Sequence, residues 1–174
     1  DEIKSALRKA TIKGELYPVL CGTALQNKGV QKVLDAVVAF LPSPEDIKVV
    51  HGLKPDSDEE DSRELTSEAP LSGLVFKVAT DPYVGRLSFI RIYSGVMKSG
   101  SYVFNPVSGE RERIGRIVQM HSNSRKEIDE IRAGDIAALI GLKKTRSGDT
   151  LCDEKSPILL ESIDFPQPVI SIAI

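Results

Sequence analysis

The 174-residue sequence predicts a mainly β protein: a closed β-barrel over 71–166, an αβα stretch before it and a further strand after it. Three observations predict this. From Leu71 onward the apolar residues alternate with a period of two. Turn signals recur there at intervals of about 8–12 residues, as in sandwiches and barrels. No long helical pattern interrupts 71–165. A barrel is preferred to a sandwich because closure removes exposed sheet edges.

The elements follow in order. Ile3, Ala6, Leu7 and Ala10 repeat at helical spacing, and Gly14 ends the run. Leu16-Tyr17-Pro18-Val19-Leu20-Cys21 is nearly continuous apolar sequence, the mark of a strand covered on both faces. Val30, Val33, Leu34, Val37 and Leu41 form one stripe on a second helix, with Pro42 just beyond it. One buried-type strand without parallel neighbours cannot satisfy its backbone groups. Residues 1–44 are therefore expected to be the end of a larger α/β domain, the alternative being a small α+β cap packed on the barrel. The stripe over 30–41 is expected to fold back on the barrel or to drive association of chains. Residues 45–70 read as an acidic linker. Asp56, Asp58, Glu59, Glu60, Asp61, Glu64 and Glu68 lie in its part 54–70, with Pro55 and Pro70 at the edges of that part, so a solvated, mobile loop is expected.

Within the barrel, Leu74, Phe76 and Val78 alternate with Val75, Lys77 and Ala79. Asp81-Pro82 opens a turn, and Leu87–Tyr93 is the next strand. Ser101–Asn105 and Glu112–Met120 flank the hairpin loop Pro106-Val107-Ser108-Gly109. Ile136–Ile140 and Thr150-Leu151 complete the set, each preceded by a Gly-Asp turn. The terminal strand 167–174 carries Pro168-Val169-Ile170-Ser171-Ile172.

Composition excludes several classes. The chain is 41% hydrophobic and 28% charged, so it can form an ordinary core and is not wholesale disordered. A net charge of -2 excludes a polybasic arm. Cys21 and Cys152 alone make neither a disulfide framework nor zinc spacing. No apolar run reaches the ~20 residues of a membrane span. With no signal peptide either, a cytoplasmic, reducing location is expected.

Charge is uneven along the chain. Residues 1–70 hold 9 basic and 13 acidic side chains, and residues 71–174 hold 14 and 12. Arg111, Arg113, Arg116, Arg125 and Lys126 concentrate basic charge in the second part. Arginine forks suit phosphate oxygens. The competing reading is a solvated strand face, paired with Glu110, Glu112 and Glu127.

Catalytic constellations are absent from the sequence: there is neither a GxxxxGK[ST] nor a GxGxxG loop. His121, in a Ser-Asn-Ser turn, reads as a surface residue, and Cys21 as an inert core thiol. Cys21-Gly22-Thr23-Ala24-Leu25 follows the buried-type strand, where open α/β sheets place ligands.

Several ordered stretches resemble bacterial-type translation elongation factor G, the ribosomal translocase GTPase. They are Tyr17-Pro-Val-Leu-Cys-Gly-Thr-Ala-Leu-Gln-Asn-Lys-Gly-Val-Gln31, Phe76-Lys-Val-Ala-Thr-Asp-Pro-Tyr-Val-Gly-Arg-Leu-Ser-Phe89 and Arg91-Ile-Tyr-Ser-Gly95. Glu112-Arg-Ile-Gly-Arg-Ile-Val-Gln-Met-His121, Ala133-Gly-Asp-Ile-Ala137, Gly148-Asp-Thr-Leu-Cys-Asp-Glu-Lys155 and Pro166-Gln-Pro-Val-Ile170 continue the series.

The resemblance implies that 1–44 ends a GTP-binding domain and that 71–166 is the family's second domain, a translation-factor-type β-barrel. Residues 167–174 would begin a ferredoxin-like third domain. Thr23, Ala24 and Leu25 match the last guanine-nucleotide motif, whose backbone amides reach the guanine oxygen; Thr23 stands where many members carry Ser. GTP and Mg²⁺ would be cofactors of the complete protein. This chain, lacking the phosphate loop, switches and base-reading motif, is expected to bind neither and to be inactive alone. The implied partners are small-subunit ribosomal RNA, for which Arg111, Arg113, Arg116, Arg125 and Lys126 are the candidates, and the missing domains; no membrane is implied. The alternatives are a related translational GTPase of ribosomal-protection or release-factor-like type, or a free-standing RNA- or protein-binding barrel.

Overall fold

A computed structural model describes residues 2–122 and 124–160. The chain divides into two compact units, Asp1–Ile47 and Lys48–Ile174.

The first unit holds α1 (Glu2–Ile12) and α2 (Val30–Phe40). At the end of α1 the Gly14 N–H donates to the Thr11 carbonyl and the Glu15 N–H to the Ala10 carbonyl. This Schellman pattern needs the left-handed φ of 73° that Gly14 supplies. Arg8 on α1 ties the unit together: its guanidinium donates to the carbonyls of Ala39 and Leu41 and to the Asp46 carboxylate. Neither helix contains a buried residue, and Val33, Leu34, Val37 and Leu41 of the expected stripe are exposed.

The strand expected at 16–21 is not formed. Tyr17 and Val19 are exposed, and the segment makes no ladder. The reason is the one that marked it as a central strand. Its backbone needs a pairing edge, and no other strand lies in this unit among the described residues. Cys21 is accordingly exposed, not a core thiol.

The second unit is β throughout. Its strands are β1 (Val49–Leu53), β2 (Glu60–Glu64), β3 (Ser72–Asp81), β4 (Gly85–Ser94), β5 (Val96–Lys98) and β6 (Tyr102–Asn105). The remaining six are β7 (Glu110–Arg113), β8 (Arg116–His121), β9 (Ser124–Ile128), β10 (Glu130–Arg132), β11 (Ile136–Ile140) and β12 (Thr150–Cys152). Eight of the strands form one antiparallel sheet in the order β7-β6-β12-β3-β4-β11-β8-β9. β5 and β10 pair separately.

The sheet differs from the expected closed barrel in one respect. No ladder joins the outermost strands β7 and β9 among the described residues. Instead β7, paired with β6, continues through Ile114-Gly115 into β8, paired with β11. One bent stretch of chain thus serves both ends of the sheet. Ile90, Ile92, Ile114, Ile117, Leu139 and Leu151, from several strands and a corner, meet in the main core and are fully buried.

The acidic linker expected over 45–70 is largely a β-hairpin. β1 and β2 pair antiparallel, with Val50 opposite Arg63, and the Lys54 N–H closes the turn onto the Glu59 carbonyl. Net charge hid an alternating pattern. Arg63 is 9% exposed; it pairs with Asp61 at 2.8 Å and donates to the Ser156 carbonyl and hydroxyl. Leu53 and Leu159 exchange both backbone hydrogen bonds at 2.8 Å. The expected terminal strand 167–174 and the barrel's last residues, 161–166, lie outside the described residues.

Burial separates the two thiols. Cys152 is fully buried, and that burial pushes its pKa up. A thiol-disulfide reagent at pH 8 is expected to titrate one fast equivalent, Cys21, with the second appearing only on unfolding. Two fast equivalents would contradict the packing of β12.

Candidate nucleic-acid interface

Strand parity decides where the predicted cations point. On β7, Glu112 lies opposite the buried Val103 and is itself 8% exposed, so Arg111 and Arg113 project from the other face. Arg111 lies over the Tyr102 ring at 5.6 Å and pairs with Glu154 at 3.3 Å. Arg113 donates from Nε to the Gly100 carbonyl at 3.3 Å.

The other three cations belong to the β8–β9 ladder. Arg116 faces Glu127 at 3.8 Å. Arg125 pairs with Asp81, whose carboxyl is held below its usual range by the Tyr83 and Val84 N–H groups and by that arginine. Lys126 stands opposite Gln119 and has no ion-pair partner among the described residues. The predicted cluster is therefore two groups. Arg111 and Arg113 lie on the β6–β7 ladder, and Arg116, Arg125 and Lys126 on the β8–β9 ladder. Arg111, Arg113 and Arg116 make their local contacts through exposed side chains, worth little in stability, whereas the Arg125–Asp81 pair is partly buried. All five remain open to an outside anion.

A third cationic element was not singled out from sequence. The β11–β12 loop carries Lys143, Lys144 and Arg146, all exposed. The available signal was three basic residues within the four of 143–146. Its backbone is held from two sides. The Glu112 carboxylate, reaching from β7, accepts the N–H groups of Lys143 at 2.6 Å, Lys144 at 3.0 Å and Thr145 at 2.8 Å, together with the Thr145 hydroxyl at 2.5 Å. Burial raises the pKa of this carboxyl, but the Thr145 hydroxyl and the three N–H groups outweigh it, and the net shift is downward. From β4, Arg86 donates to the carbonyls of Lys143 and Thr145. Of the carboxylates expected to neutralise the arginine cluster, Glu112 has no salt bridge to it, and Glu110 pairs with Lys144 at 2.5 Å. Only Glu127 does as expected.

The Thr23-Ala24-Leu25 loop is a tight turn. The Thr23 N–H donates to the Lys28 carbonyl at 2.9 Å, and Lys28 returns the bond at 3.0 Å. Leu25 is 98% exposed, and the Ala24 and Leu25 N–H groups enter no described hydrogen bond. Such a loop fits a ligand edge approached by backbone donors. The phosphate-binding sequence that a nucleotide also needs is not among the 174 residues.

Residues 70–154 match the family model described as Elongation factor G domain 2. A solved structure from Thermus thermophilus superposes with a TM-score of 0.69 at 22% identity, over 97% of this chain and 23% of that one. At that identity the likeness concerns the fold. The chain spans less than a quarter of the length of that protein. The β unit is similar to the second domain of a translational GTPase, a module of translation factors. Among the described residues, no helix is long and apolar enough to cross a membrane.

Proposed function

We propose that this chain is part of a translocase GTPase of the elongation factor G type, and that its β unit is a ribosome-docking and interdomain module without chemistry of its own. The match of residues 70–154 to the second-domain model carries this reading. The observed ladders and the exposed arginines are compatible with it. In the complete protein, GTP and Mg²⁺ are bound chiefly by segments outside these residues, and the Ala24 and Leu25 amides take the guanine edge. Arg111, Arg113, Arg116, Arg125 and Lys126 contain the contacts to small-subunit ribosomal RNA. On this reading they contact phosphate and shape and not bases, since arginine forks suit phosphate oxygens and phosphate contacts carry no sequence information. The protein acts in the cytoplasm.

The test is filter binding of the 174-residue chain to purified small ribosomal subunits. The Arg113→Glu/Arg116→Glu variant is expected to bind about tenfold more weakly at low salt, because two phosphate contacts become repulsive. Both side chains are exposed, so the variant should fold. Equal retention of the two proteins removes these arginines from the RNA contact.

A further inference from the structure

The chain enters the β unit at Lys48 and, after β12, runs on through Leu160. The β1–β2 hairpin joins these two connections. The Leu53 N–H donates to the Leu159 carbonyl and the Leu159 N–H to the Leu53 carbonyl, each at 2.8 Å. On the neighbouring strand Arg63 donates to the Ser156 carbonyl at 3.2 Å and to its hydroxyl at 3.1 Å. Val50 packs against the small core of Cys152, Ile158 and Leu160, which is distinct from the main one. No ladder joins β1 or β2 to the eight-stranded sheet among the described residues. From these observations we infer that the hairpin is a latch on the segment 156–160. It opens and closes as one unit while the eight-stranded sheet stays folded, and it thereby couples the connection at Lys48 to the one at Leu160. The inference does not depend on the ribosome-docking reading.

Three features support a latch. First, little apolar surface ties the hairpin down. In β1 and β2 only Arg63 is buried, whereas β4 and β11 contribute Ile90, Ile92 and Leu139 to the main core. Local opening is drawn from elements with few buried apolar contacts. Second, the ion pair of the hairpin moves with it. Arg63 pairs with Asp61 of its own strand at 2.8 Å. Opening therefore carries both charges into water together and leaves neither unpaired on the barrel side. Third, the closed state has a close fit at one point. A Cβ on Gly52 would collide with the Leu159 carbonyl oxygen and sit 2.9 Å from Ile158 Cγ1. The two segments meet there only because residue 52 lacks a side chain, so a single methyl group suffices to disturb the seat. An element with two states that both connections bias carries coupling between them. Whatever holds 156–160 in its seat also holds the hairpin, and the reverse.

Amide-resolved hydrogen exchange of the 174-residue chain reads the latch directly, because its two backbone donors are the Leu53 and Leu159 amides. Their protection factors are expected to be equal to each other and at least about tenfold below those along β4 and β11. Gly52→Ala is expected to lower both by about tenfold or more through overpacking, with β4 and β11 unchanged. Arg63→Gln alters β2 alone and bonds to neither amide. It is expected to lower the protection of Leu53 and of Leu159 by one common factor, about tenfold, as the charged hydrogen bonds to Ser156 are lost. This second variant also decides the matter if Gly52→Ala does not fold. Protection of Leu53 and Leu159 equal to that of the sheet overturns independent opening. Unequal or absent responses of the two amides to Arg63→Gln overturn the coupling.

Discussion

Replacing Glu112 by alanine is expected to cost the β unit about 3 kcal/mol, because four donors in and beside a packed loop lose their acceptor at once. The donors are the backbone N–H groups of Lys143, Lys144 and Thr145 and the Thr145 hydroxyl. Thr145 is fully buried, so water cannot simply replace the carboxylate there. For a domain of this size the melting temperature should fall by about 10 °C. Glu112→Gln keeps the shape and one acceptor but turns an amide N–H₂ toward donors, and should lie between wild type and alanine. The linkage has a definite sign. The folded-state pKa of Glu112 is lowered, so its contribution is fully present above the unfolded carboxyl value of about 4.3. It is lost as pH falls through the lower folded value. Urea unfolding from pH 7 downward should therefore show an acid loss in the wild type that is smaller in Glu112→Gln. Parallel pH profiles would mean that the carboxylate's charge contributes nothing to holding the loop.

Glu112 also shows where sequence reasoning reached its limit. Beside Arg111 and Arg113 it looks like their counter-charge. Its real role depends on strand parity, which turns it inward with Val103 while the arginines turn outward, and on a loop that begins some 30 residues later. Local patterns, by contrast, were legible. Ile136–Ile140 is a strand over the predicted residues, and the stripe from Val30 marks α2 to within one residue. Both signals are carried by side chains of the element itself. The hairpin of β1 and β2 was hidden because its acidic residues dominated the composition, while Val50 and Arg63 supplied the packing. The apolar run 16–21 misled in the opposite direction, since apolarity describes what a strand wants and says nothing of whether an edge is available. Lys143, Lys144 and Arg146 went unnoticed because the basic residues of 111–126 are more numerous, although the latter are divided between two ladders.

The sharpest demand on sequence lies at the corner where β7 becomes β8. Gly115 there is crowded. A Cβ would sit 2.5 Å from the Ile140 carbonyl oxygen and 3.5 Å from the Gly141 Cα. Neither is the end of a flexible side chain, so the strand β11 must move to make room. The corner is also fully hydrogen-bonded. The Ile114 N–H donates to Ser101, the Ile114 carbonyl accepts from Gly100, the Gly115 N–H donates to Ile140, and the Gly115 carbonyl accepts the Ser99 hydroxyl. Moving β11 away breaks the Gly115–Ile140 bond and opens the passage by which one stretch of chain serves both ends of the sheet. Gly115→Ala is expected to cost about 2 kcal/mol by overpacking alone, and Gly115→Val about 3 kcal/mol. Gly109 provides the control. It has a φ of 69° but nothing within 4 Å of its missing Cβ. Gly109→Ala meets only the left-handed backbone penalty, about 1 kcal/mol. Urea unfolding should thus rank Gly115→Val below Gly115→Ala and Gly115→Ala below Gly109→Ala. Hydrogen exchange should show the Gly115 variants losing protection along β8 and β11 while β3, which pairs with β12 and β4 and not with β11, keeps its own. A reversed ranking, with Gly109→Ala the most harmful, would mean that turn conformation and not the close approach of β7–β8 to β11 limits the stability of the β unit.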